Sequence, residues 1–77
     1  MINFSGGLIR LPADLKGESA TYVNPDKIVS FCDAEENATL IKLDDDTFID
    51  SEYCSAKNIA NAILKAQISG KVIDVEI

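Results

Sequence analysis

Asp44-Asp45-Asp46 is the densest run of potential ligands in the chain, and consecutive carboxylates suit hard cations such as calcium or magnesium. The spacing does not fit a calcium loop. Counted from Asp44, the sixth position is Ile49 instead of glycine and the twelfth is Ser55 instead of glutamate. A solvated hairpin turn is the simpler expectation. Asp33, Glu35 and Glu36 form a second carboxylate group, but paired acid/base chemistry needs a cleft that separates two carboxyls and perturbs one of them. A chain of 77 residues has little room for such a cleft. Gly6-Gly7 lacks the lysine and hydroxyl of a phosphate loop and precedes an apparent strand, so a bulge or turn is expected there. Ser55 followed by Lys57 reads as the start of a helix and not as a Ser-Lys dyad.

The residue types that are missing narrow the chemistry further. With no histidine, the chain lacks the commonest general base near neutral pH and every Ser-His or Cys-His nucleophile pair. Cys32 and Cys54 are too few to close a tetrahedral zinc shell. Arg10 is the single arginine, which nearly excludes bidentate clamping of phosphate. These absences lead us to expect a non-enzymatic protein without cofactor or metal. The start Met1-Ile2-Asn3-Phe4 has no basic segment followed by an apolar run, and no stretch approaches the roughly 20 apolar residues of a membrane span. The expectation is a soluble, cytoplasmic protein whose two cysteines stay reduced and partly buried.

Charge is the strongest remaining signal. Nine of the 13 carboxylates lie between Asp26 and Glu52, where Lys27 and Lys42 are the only basic residues, and the whole chain is at net charge −6. A protein of that charge repels the phosphate backbone, so direct nucleic-acid binding is disfavoured. The same field attracts a basic surface on another protein.

The elements that position these residues are legible in outline. Leu8 to Leu11 and Ser19 to Val23 read as strands joined by a loop from Pro12 to Gly17, and Asn24-Pro25-Asp26-Lys27 has the residue order of a type I turn. Ile28 to Asp33 reads as a third strand, with Val29 and Phe31 on one face and Ile28, Ser30 and Cys32 on the other. Phe31 is assigned to the core. Glu35-Glu36-Asn37 connects it to Ala38 to Leu43, and Asp44-Asp45-Asp46 leads on to Thr47 to Asp50 as a hairpin. From Ser55, an N-cap residue, the period changes to that of a helix. Ala56, Ile59, Ala60, Ile63, Leu64 and Ala66 line one side of it, and Lys57, Asn61 and Lys65 the other. Ser69-Gly70 ends the helix, and Lys71 to Ile77 alternates as a final strand with Ile73, Val75 and Ile77 inward. That strand closes the sheet of its own chain or pairs with a neighbour's edge. The expected class is α+β in a single domain: a small antiparallel or mixed sheet of five to six short strands, covered by one C-terminal helix, in the order β-β-β-β-β-α-β.

The run Tyr22-Val23-Asn24-Pro25-Asp26-Lys27-Ile28-Val29-Ser30-Phe31, followed by Ala38-Thr39-Leu40-Ile41-Lys42-Leu43 and a helix, resembles small bacterial and phage proteins with a hydrophobic-Asn-Pro-x-x-Ile turn. The nearest named family is the FlbD-like flagellar motility proteins, over roughly Leu8 to Leu64. Asp44-Asp45-Asp46 stands where that family usually has a lysine-rich hairpin with an Asn-Gly turn, and Lys71 to Ile77 adds a strand. The resemblance implies strands followed by a helix and a small accessory protein with no catalytic site to carry over. A short reading frame of this kind also suits a phage or other mobile element.

The expected function is a small protein-interaction module, an accessory or regulatory factor that binds a basic protein partner and self-associates. Its expected surface is Asp33, Glu35, Glu36, Asp44, Asp45 and Asp46, with Phe48 or Tyr53 supplying a buried anchor. Two other functions fit the same residues: an inhibitor that mimics nucleic acid to block a defence or transcription protein, and a structural subunit of an oligomeric assembly.

Overall fold

Six short strands and one helix follow one another in the computed structural model, which describes residues 7–14, 19–35 and 38–77. They are β1 (Leu8–Pro12), β2 (Ala20–Val23), β3 (Ile28–Glu35), β4 (Ala38–Leu43), β5 (Phe48–Ser51), α1 (Ala56–Ser69) and β6 (Val72–Asp74). The α+β class and the element order are those implied by the sequence pattern. The strands, however, divide into two three-stranded sheets: a mixed sheet A in the order β2-β1-β6 and an antiparallel sheet B in the order β3-β4-β5. In sheet A, β1 pairs antiparallel with β2 and parallel with β6, so the last strand closes the sheet of its own chain.

One core joins the two sheets and the helix. Ile9, Leu11 and Val23 come from sheet A, Ile41 from β4, Ile59, Ala62 and Ala66 from α1, and Cys54 and Val75 from the segments flanking them. Thr39, fully buried in the same region, donates from Oγ1 to the Cys54 carbonyl at 2.8 Å, which satisfies both groups away from water.

The turns follow local chemistry. At Asn24-Pro25-Asp26-Lys27 the Lys27 amide donates to the Asn24 carbonyl at 3.0 Å and the Asp26 amide to the Asn24 side chain at 3.0 Å, giving a 3-10 turn over Pro25–Lys27. Helix α1 starts where Ser55 Oγ accepts from the Asn58 amide at 3.2 Å and stops at Gly70, whose φ of 68° is the left-handed C-terminal conformation. Gly7 has φ +73°, and a Cβ built there would lie 2.5 Å from the Lys71 carbonyl oxygen and 2.6 Å from that of Ala66. The glycine therefore permits β1 to start against the C-terminal turn of α1. Gly6 lies outside the described residues, as do residues 15–17 of the loop expected from Pro12 to Gly17.

Three details differ from the sequence pattern. In β3 the register shifts between Ile28 and Ser30, so Ile28 joins Phe31 against the core while Val29 is turned out, 61% exposed. A bulge resets the two-residue alternation, and alternation is all that the sequence shows. In α1 the buried stripe is Ile59, Ala62 and Ala66, whereas Leu64 is 58% exposed. Eight of the 14 residues of α1 are apolar, so periodicity alone does not select a face. The small side chains of Ala62 and Ala66 suit close packing of α1 on β1 and β6. The final strand is shorter than its alternation suggests: Val75 is buried just beyond its end, but Ile77 is 62% exposed.

Candidate partner-binding groove

The described residues of the expected acidic surface sit at the two ends of sheet B. Strand β4, six residues long, separates the turn after it from the connection before it by about 17 Å at the usual rise per residue. Asp44, Asp45, Asp46 and Phe48 lie at the hairpin end, while Asp33, Glu35 and Tyr53 lie at the other. Glu36 falls outside the described residues.

At the hairpin end the carboxylates have partners. Asp46 takes the left-handed conformation, φ 68°, which aspartate tolerates better than most residues, and its amide donates to the Leu43 carbonyl at 3.1 Å. Asp45 Oδ1 accepts from both the hydroxyl and the amide of Thr47. Those bonds, the hydroxyl's first, hold the Asp45 carboxyl below the ordinary carboxylate range. Asp44 lies 3.5 Å from Lys27 Nζ, and Asp46 lies 3.7 Å from Lys42 Nζ. The Asp44 amide also donates to the Lys27 carbonyl at 2.9 Å, so the hairpin turn is tied to the turn before β3. Phe48 pairs across the strands with Lys42 and is 59% exposed on the solvent face of sheet B. Its ring is open to solvent.

The opposite end is built differently. Asp33 Oδ1 accepts from the Ala56 amide at 3.1 Å, and with Ser55 it satisfies two of the free N–H groups at the start of α1. Its role is to fasten the end of β3 to the helix. Beside it, Ala34, Glu35, Ala38, Asp50, Glu52 and Tyr53 line an open depression of about 440 Å³. A second one, about 250 Å³, continues from Asp50, Glu52 and Tyr53 toward Leu11, Pro12 and Thr21 of sheet A. The two meet at Tyr53, which is half-buried, whereas Glu35, Asp50 and Glu52 are exposed. Among the described residues, no lysine or arginine lines either depression.

Ser51 is 4% exposed, and its hydroxyl has no hydrogen-bond partner of ordinary geometry. Its polar neighbour is the thiol of Cys54, a weak partner; burial pushes that thiol up, and the Ser51 hydroxyl partly opposes the shift. Cys54 is buried and Cys32 is exposed, and both are free, so the expectation of partial burial holds for neither. No group of three or more metal-ligating side chains occurs among the described residues.

No family model, curated protein or solved structure matches the chain. Its site must therefore be read from its own geometry. That geometry brings together Glu35 and Tyr53 from the expected set and adds Asp50 and Glu52, which lie outside the two carboxylate clusters of the sequence. Asp50 and Glu52 flank Ser51 at the end of β5, where the strand stops and its side chains turn into the groove between the sheets. An alternation of acidic residues at a strand end, followed by an aromatic residue, is the pattern that could have pointed there.

Proposed function

We propose that the protein is a non-enzymatic interaction module that binds a basic segment of a protein partner in the groove formed by Glu35, Asp50, Glu52 and Tyr53. The observation that carries this reading is a set of carboxylates that, among the described residues, have no basic neighbour lining the groove, around a half-buried aromatic ring. Such carboxylates keep their field for an incoming lysine or arginine, and the Tyr53 ring offers an apolar and cation-binding face at the centre of the contact. The depressions are open and polar, unlike the enclosed apolar pockets that hold small molecules. No helix among the described residues is long and apolar enough to cross a membrane. The resemblance to FlbD-like accessory proteins of bacteria and phages agrees with a binding role in the cytoplasm.

The same arrangement favours this reading over nucleic-acid mimicry. A mimic needs carboxylates free along an extended track, whereas Asp33, Asp44, Asp45 and Asp46 are engaged within the chain. The test is affinity capture from nuclease-treated lysate with the native chain and two charge-reversed forms, Asp50→Lys/Glu52→Lys and Asp44→Lys/Asp46→Lys. A partner retained by the second form, lost by the first and released by salt supports the groove. Equal retention by both forms contradicts it, and displacement of the partner by added DNA or RNA supports mimicry instead.

A further inference from the structure

Strand β3 is the longest strand in the chain, and none of its eight residues is buried. By contrast, β4 beside it is buried or half-buried throughout. Among the described residues β3 is an outer strand of sheet B, so it presents one row of backbone groups that β4 does not use. Natural edges of this kind are usually guarded by lysine or proline, and neither occurs from Ile28 to Glu35. The guards present are two irregularities, between Ile28 and Ser30 and between Asp33 and Glu35, which leave Ser30 to Asp33 regular.

We propose that this edge receives a second copy of the chain, the two β3 strands pairing antiparallel about a two-fold axis near Phe31 and Cys32, so that sheet B runs through six strands. Charge selects the copy and its direction. Lys27 lies just before β3, and Asp33 and Glu35 lie at its far end. Antiparallel pairing sets Lys27 of one copy beside Glu35 of the other, twice by symmetry, while parallel pairing stacks like carboxylates. Lys27 is 61% exposed even with Asp44 beside it, so it reaches a second carboxylate without leaving the first. On the solvent face Val29, Cys32 and Phe48 are exposed, and pairing brings the two copies' apolar side chains into one strip. The contact is small, because the regular stretch is four residues long, so the dimer is concentration-dependent and exchanges with monomer.

The experiment is sedimentation equilibrium of the native chain, with a spin label on exposed Cys32 to measure the distance between copies. Buried Cys54 stays unlabelled. The expected result is a monomer-dimer equilibrium with labels under about 20 Å apart, since paired strands lie about 5 Å from each other. Lys27→Glu should weaken the dimer at least about tenfold, and Lys27→Glu with Glu35→Lys should restore it to within about threefold. Circular dichroism checks that each variant is folded; if Lys27→Glu is not, the label distance in the native chain decides. A chain that stays monomeric at all concentrations overturns the proposal. So does a dimer with distant labels, the outcome expected if exposed Leu64 and Ile68 of α1 form the contact. A dimer indifferent to Lys27→Glu in a folded variant overturns it as well. The readout needs no partner protein, so its failure is distinct from failure of the groove.

Discussion

At the hairpin end of sheet B, three consecutive aspartates are met by Lys27, Lys42 and the Thr47 amide; at the other end, Asp50 and Glu52 line a groove where no basic residue is found among the described residues. The denser run of charge is the less available one. Formal charge along a sequence counts carboxylates, whereas the field met by a partner depends on what each carboxylate already holds. Exposed pairs such as Lys27–Asp44 add little stability, but they lower the local charge, and the Asp45–Thr47 bonds commit that carboxylate to the turn.

The contrast can be broken most severely through what both ends share. Ile41 is fully buried in the middle of β4, and Ile41→Ala should lower stability by about 3 to 4 kcal/mol in urea denaturation, disrupting both ends at once. Next in size is the charge reversal that separates them. Asp50→Lys/Glu52→Lys should weaken partner binding at least about tenfold, with the turn variant changing it by less than about threefold, as read by calorimetric titration.

Asp33 sharpens the comparison within the groove end itself. Because its carboxylate serves the first turn of α1, Asp33→Ala should cost about 1 kcal/mol of stability and leave partner affinity within about twofold. A loss of affinity comparable to that of the groove variant would move Asp33 into the binding surface.

The smallest effect belongs to Asp45. Its carboxyl titrates below the ordinary carboxylate range in the folded chain, so its contribution to the turn is present above that range and is lost as pH falls through the folded value. The Thr47 amide resonance should follow that titration, while the amides around Tyr53 stay unaffected by it.

Much of the fold was legible because local chemistry and global topology agree. Asn24-Pro25 made its turn, Ser55 and Gly70 bounded the helix, and the aspartate run made a hairpin. The division into two sheets was not legible, since a strand's sequence shows which of its faces is apolar but not which strand lies next to it. Leu64 and Val29 were misplaced for related reasons: a helix with apolar residues on most sides and a strand with a bulge both break the link between period and face. The candidate site was legible only in part. Charge density drew attention to Asp44-Asp45-Asp46, and only the fold puts lysines beside two of them and brings Glu35 to Asp50, Glu52 and Tyr53.

If the two acidic ends differ in their availability to a basic partner, a basic ligand distinguishes them. Nuclear magnetic resonance of the isotope-labelled chain, titrated with a lysine- and arginine-rich peptide, measures this directly. Saturable shifts concentrated at residues 34–35 and 50–53, with residues 44–48 left in place, are the predicted result. Shifts concentrated at 44–48, or spread evenly over both ends, would contradict it.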